Sequence, residues 1–326
     1  MPLKRTGKAV AIKPPPARAS KLPSVLRFPL LVTLSLTFSS LLYSFSAQVL
    51  QTEGELAAVS RRLDQWWEVG ALLGWRAAEL ALGWWGGYDS FDLSALAVLS
   101  HGPPLYLLKT FYGISNTAVI SSLAIDAITL AVPMHLLRPL SPGHSSDFPL
   151  PPVERGILSS IPIQILMTLL GTVIYSTTLY GSYASFLPTS LVTYFEGIPT
   201  IAPAHTARPE TLFPTMLLMG VAAKSFIFTP ATATLPSIAD AKAGAFNPET
   251  ATLSGTVLHN IWGFSPRTRT IIKRTVTLML ASGINTFVQT LVTVNGSEAK
   301  GAAAYSSVWP IAALFTGIAF GVVGDV

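Results

Sequence analysis

Asp126 stands near the middle of an otherwise apolar run, Gly113 to Leu137. An isolated carboxylate there costs several kcal/mol unless it is paired or hydrated. Two readings meet that cost: a proton or cation relay, or a structural hydrogen bond or ion pair inside a helix bundle. Lys224 sits about 13 residues into a second run, Thr211 to Phe228, and has two readings of its own. It faces Asp126 across the bundle, or its long stem snorkels to the membrane surface. Asn285 and Gln289 are one helical turn apart in a third run, Ile271 to Val294, where amides either hold helices together or line a path. Arg76 and Glu79, spaced i,i+3, can pair on one helical face.

His101, Gly102, Pro103 and Pro104 interrupt the run from Phe91 to Tyr112. Two prolines remove backbone donors and the glycine frees the chain, so this spacing predicts a broken span or a re-entrant pair of short helices. Unwound backbone at mid-membrane offers carbonyls and amides to a solute; a plain turn between short helices has the same sequence.

Other chemistries lack their signatures. The chain has no GxSxG elbow, P-loop, GxGxxG or HExxH. With no cysteine it has no disulfide, thiolate metal site or cysteine nucleophile. His101, His135, His144, His205 and His259 form no i,i+4 pair, so a histidine metal centre is not expected. No cofactor is expected, and an enzymatic activity ranks third among the readings of function.

The elements that must position these residues follow from composition. The chain has 326 residues, 50% hydrophobic and only 11% charged, against roughly a quarter charged in a soluble domain. The expected fold is an all-α polytopic transmembrane helix bundle of seven or eight spans. The net charge of +5 belongs to the first 27 residues, which hold seven Lys or Arg and no acid; the rest holds 14 basic against 16 acidic groups. No basic face for nucleic acid is expected, and the bilayer is the expected partner, with a membrane-protein partner or oligomer beside it.

The proline-rich tail, residues 1–23, is read as disordered, and residues 24–326 as the bundle. Phe28 to Thr52 carries no charge for 25 residues, long enough for an uncleaved anchor; a mitochondrial presequence is the rival reading of the basic tail. Trp66 to Trp85 holds five of the seven tryptophans. The pairs at its two ends lie roughly 27 Å apart along a helix, the spacing of two interfacial belts. The alternative is a helix lying flat in the interface.

Gly156 to Phe195 is uncharged for 40 residues and reads as one span, about Ile157 to Thr178, followed by a re-entrant or interfacial piece. Asn247, Pro248 and Glu249 form a helix start, so an amphipathic connector helix is expected at about 248–263. Ile271 to Val294 and Gly301 to Gly324 are the last spans. Between them Asn295 opens the chain's only N-x-S/T sequon, a possible N-glycosylation site.

Eight spans with the N-terminus inside satisfy the positive-inside rule: seven tail cations plus Arg138, Arg155, Lys242, Arg267, Arg269, Lys273 and Arg274 fall on one side. Splitting Gly156 to Phe195 into two spans while laying the Trp-rich segment flat satisfies it as well. The preferred membrane is in the secretory pathway, and the mitochondrial inner membrane is second. Two functions are carried forward. The first is small-solute or ion translocation through the bundle. The second is a non-catalytic membrane organiser or assembly subunit that binds lipids or partner membrane proteins.

Overall fold

The computed structural model describes residues 23–50, 53–145, 148–235 and 263–324, together with Thr252, Leu253 and Thr256. The expectations for the basic tail and for the connector helix at 248–263 fall almost wholly outside the described residues. Within them the chain is all-helical, with no strand and two isolated bridges.

Eight long helices make the bundle: α1 (Ser24–Leu50), α3 (Trp66–Gly86), α4 (Ser90–Tyr112), α5 (Asn116–Leu137), α7 (Ile161–Tyr183), α10 (Pro209–Ala223) continued through a π-helical turn (Lys224–Phe228) into α11 (Thr229–Thr232), α12 (Pro266–Thr293) and α13 (Ala299–Gly324). Short helices α2 (Glu53–Val59), α6 (Pro152–Ser159), α8 (Leu187–Tyr194) and α9 (Ala202–Thr206) lie between them. Six of the long helices, α1, α5, α7, α10–α11, α12 and α13, are long and apolar enough to cross a membrane. The chain is an integral membrane protein of the multi-pass class. The six differ from the seven or eight spans expected because α3 and α4, though 21 and 23 residues long, carry charges.

The run from Gly156 to Phe195 holds one span-length helix and a shorter helix after it, in the order expected, with the long helix at Ile161–Tyr183 rather than about Ile157 to Thr178. It splits at Ser160 and again after Tyr183, giving the end of α6, then α7, then α8. Proline at the start of each helix supplies a preset φ where no N–H is needed.

The largest correction concerns His101 to Pro104. Helix α4 runs unbroken from Ser90 to Tyr112, with Pro103 and Pro104 inside it; it is neither discontinuous nor re-entrant. A proline in a helix orphans the carbonyl four residues before it, and Pro104 thereby releases the Ser100 carbonyl. Asn285 on α12 donates its side-chain amide to that carbonyl at 2.6 Å. Tyr305 on α13 donates its hydroxyl to the Pro103 carbonyl at 2.6 Å. The carbonyl that Pro104 leaves unbonded is thus satisfied from a neighbouring helix, one way in which transmembrane helices tolerate proline, and the Tyr305 bond ties α13 to the same stretch of α4. Gly102 is not a hinge: a Cβ there would overlap Met219 Cε of α10.

Capping fixes where α4 and α5 begin. Asp89 accepts from the Asp92 amide at 2.9 Å while the Asp92 carboxylate accepts from the Asp89 amide, a reciprocal box. Ser115 caps α5, and the exposed carboxylate of Glu55 accepts from the Ser115 amide at 2.9 Å. That bond, made by the backbone amide at a helix start, holds Glu55 below the ordinary range for its type.

Contacts sort the helix ends onto two faces. On the terminal face, where α1 begins, Phe28 packs on Trp84 and Trp85, and Arg138 donates to the carbonyls of Gly83 and Trp84. On the far face the loop after α12 is knitted to its neighbours: Asn295 donates to the Val59 carbonyl, Arg61 to Thr293, Glu196 to Gly296 and Glu298 to Tyr194. Hydroxyl-bearing and small residues let the helices approach closely, as at Gly171 and Gly220 between α7 and α10.

Candidate functional site: a clamped histidine in the bundle

Helices α1, α3, α4, α5 and α12 enclose a cleft of about 400 Å³ that reaches from Ser60 and Thr293 on the far face to Glu79, His101 and Asp126. Counted along α4 and α5, His101 and Asp126 lie roughly 15 Å from that face.

At its floor one imidazole stands between two carboxylates. His101 Nε2 is 3.0 and 3.1 Å from the Glu79 oxygens, and Nδ1 is 3.1 Å from Asp126 Oδ2. Ser100 donates to Glu79 Oε1 at 3.3 Å, and Arg76 Nη1 lies 3.8 Å from Oε2 while its other amino group bonds Thr129. Tyr43 of α1 donates to Asp126 Oδ1 at 3.3 Å. Glu79 and His101 are buried.

Two counts follow from this geometry. A neutral imidazole has a single N–H, so it can donate to one carboxylate only; an imidazolium has two and satisfies both. With one Arg and two carboxylates, the cluster carries one net negative charge when His101 is neutral and none when it is protonated. The cluster is therefore balanced in formal charge only with one added positive charge, and imbalance is costly for buried groups.

Of the residues singled out in the sequence, Asp126, His101 and Gln289 line this cleft together, and Arg76 with Glu79 joins them. Asn285 lies behind it, bonded to the Ser100 carbonyl that Pro104 frees, and the Pro103 carbonyl accepts from Tyr305. Lys224 does not face Asp126: it donates to Gln164 of α7 at 2.8 Å, in the terminal-face half of the bundle, because the π turn sets its direction. The side chain of Asn295 is exposed in the knitted far-face loop, whereas the hydroxyl of Ser297 in the same sequon is buried and donates to the Thr290 carbonyl at 2.7 Å.

Sequence reasoning missed Tyr43 and Ser100, which are ordinary residues in their helices and gave no signal. It also missed Asp92, whose charge at the edge of an apolar run was a signal.

Asp92 belongs to a second cluster, on the terminal face. Arg274 grips it with two bonds of 2.7 and 2.9 Å and also donates to the Phe226 carbonyl in the π turn. His144 lies 2.8 Å from Asp89, which also accepts from the Ser141 amide. Burial alone would raise the Asp89 carboxyl, but His144 and these amides hold it well below the usual carboxylate range. Asp89, Asp92 and His144 are close enough together to hold a metal ion; here the guanidinium of Arg274 supplies the positive charge, occupying both Asp92 oxygens.

Compared with protein-family models, with curated proteins and with solved structures, the chain has no match. Fold and site define it by class: a multi-pass helical membrane protein with a charged cluster buried inside its bundle.

Proposed function

We propose that the chain crosses its membrane eight times, with α3 and α4 as the two charged crossings, and moves protons or small monovalent cations through the cleft that ends on His101. The observation that carries this reading is the clamp itself. An imidazole held between Glu79 and Asp126, one charge short of neutrality without a proton, is a binding site for a single positive charge. The cleft supplies a polar route to it from the far face, past Gln289, Thr293 and Ser60.

The alternative is a membrane organiser, in which the same cluster only ties α3, α4 and α5 together. It is favoured by the exposed small residues Thr177 and Gly181 on α7 with Ser185 in the turn after it, a surface suited to another membrane helix. For the membrane itself we infer the secretory pathway, with the mitochondrial inner membrane second.

The test is proton flux. Purified protein is reconstituted in liposomes holding a pH-sensitive dye, and a potassium diffusion potential drives protons inward. We expect acidification above that of protein-free liposomes, reduced by about tenfold or more in Asp126→Asn and Glu79→Gln, a loss of at least 1.4 kcal/mol in the relevant step. Rates equal to protein-free liposomes, from protein that retains its helical content and cooperative unfolding, would leave the organiser reading standing.

A further inference from the structure

The cleft is larger than a proton path requires. One water takes up about 30 Å³ of liquid volume, so a file of a few waters from Ser60 to His101 would fill a fraction of the roughly 400 Å³ present. The remaining space is amphipathic. Its floor holds Arg76, Glu79, His101 and Asp126, whereas its sides on α1 and α3 are lined by Leu36, Leu72 and Leu73. Leu73 is 49% exposed and Tyr43 38%, so this side of the cleft faces outward between the two helices, toward acyl chains. Helices α1 and α3 meet at the terminal face, through Phe28 against the tryptophan pair, and the cleft separates them below.

Charge and shape then specify a ligand class. The floor lacks one positive charge when His101 is unprotonated, and the opening beside it is apolar. We propose that the cleft binds a single-chain amphiphile with a monocationic amine head, the ammonium resting against Asp126 beside the neutral His101 ring and the chain leaving between α1 and α3. This rests on the reading of the floor as a site for one positive charge, and it makes the ammonium and the proton alternatives there.

Each packed element contributes to that competition in a defined way. Helix α3 presents Arg76 and Glu79 to His101, α5 presents Asp126, and α1 presents Tyr43 through Asp126. From α12 the cleft receives Gln289 and Thr293, and α10 meets this stretch of α4 through Met219; none of the three titrates near neutrality. A fall in pH should therefore displace the amine.

Trp75 lines the cleft and reports occupancy. The protein is placed in phosphatidylcholine nanodiscs and titrated with dodecylammonium carrying a nitroxide near its head, with the matched nitroxide dodecyl sulfate as control. Trp75→Phe identifies the fluorescence component due to Trp75. We expect the amine to quench that component, to release protons on binding, and to need about tenfold higher concentration in Glu79→Gln or Asp126→Asn. In the unmodified protein, which raises no question of folding, binding should weaken as pH falls. Equal quenching by the sulfate, or amine binding without proton release, overturns the proposal. Proton flux that persists in liposomes while the amine fails to bind removes this inference alone; loss of both removes the proton reading with it.

Discussion

At the scale of single residues, the interior polar groups are of two kinds. Asn285 is spent on structure: its amide replaces the N–H that Pro104 lacks, and the Ser100 carbonyl receives its bond across helices rather than along one. This exchange has a measurable signature. Asn285→Ala should destabilise the native protein by about 1–3 kcal/mol, the cost of leaving a buried carbonyl unpaired together with lost packing. In a Pro104→Ala background the restored N–H serves Ser100, so the same substitution should cost about 1 kcal/mol less. Equal costs in the two backgrounds, measured by denaturant unfolding in detergent, would show that the bond does not compensate the proline. His101 is of the second kind, because its environment is balanced only by an added charge. Asp126, His101 and Gln289 were legible in the sequence because polar groups within apolar runs must find partners. Their assignment to one another was not legible, since it depends on the rotation of each helix about its axis. Lys224 shows the same limit: the π turn beginning at that residue redirects its side chain to Gln164.

At the scale of elements, the existence and approximate ends of most long helices could be read from uncharged runs and caps. The behaviour of α4 could not. Local chemistry at His101 to Pro104 argues for a break, yet the helix continues, and α12 brings a donor to the carbonyl that Pro104 frees, a tertiary effect with no trace in the local sequence. Close helix approach is likewise set by single positions. At Gly220 a Cβ would overlap the Thr172 hydroxyl and lie 2.8 Å from the Thr172 amide nitrogen of α7. Gly220→Ala should therefore cost about 1–3 kcal/mol through overpacking, whereas Gly181→Ala, with open space around the new Cβ, should hold or raise the unfolding midpoint, since alanine is the better helix former. The start of α4 has a pH dependence of its own. The folded-state carboxyl of Asp89 titrates below its unfolded value. Its contribution is complete above about pH 4 and is lost as pH falls through the folded value. The stability difference between native protein and Asp89→Asn should accordingly shrink below about pH 4, as followed by unfolding at successive pH values.

At the scale of the whole molecule, the eight crossings we propose would put the start of α1 and the end of α13 on one side, together with Arg27, Arg138, Arg155, Arg267, Arg269, Lys273 and Arg274. The far face carries Arg61, Arg62, Lys109, Arg208 and Lys300. The asymmetry matches the positive-inside rule with the terminal face inward. Since the chain contains no cysteine, single thiols report sidedness without background. Ser159→Cys, before α7, and Thr200→Cys, between α8 and α9, should react with a membrane-impermeant maleimide from opposite sides of oriented vesicles. Labelling from the same side would remove the eight-crossing arrangement. Membrane class was evident from charge content alone, whereas span count was not, because α3 and α4 carry charges whose partners lie on distant segments.

The contacts made by α12 and α13 also bear on how the molecule is synthesised. Asp92, the Ser100 carbonyl and the Pro103 carbonyl are all in α4, the third of the eight long helices to leave the ribosome. Their partners Arg274, Asn285 and Tyr305 arrive in the last two. Until then the nascent chain holds an acid without its guanidinium partner on the terminal face and, deeper in α4, a Ser100 carbonyl without a donor. A message cut short before residue 265 would leave them so permanently, producing a product marked for removal by membrane quality control rather than a smaller working version of the protein.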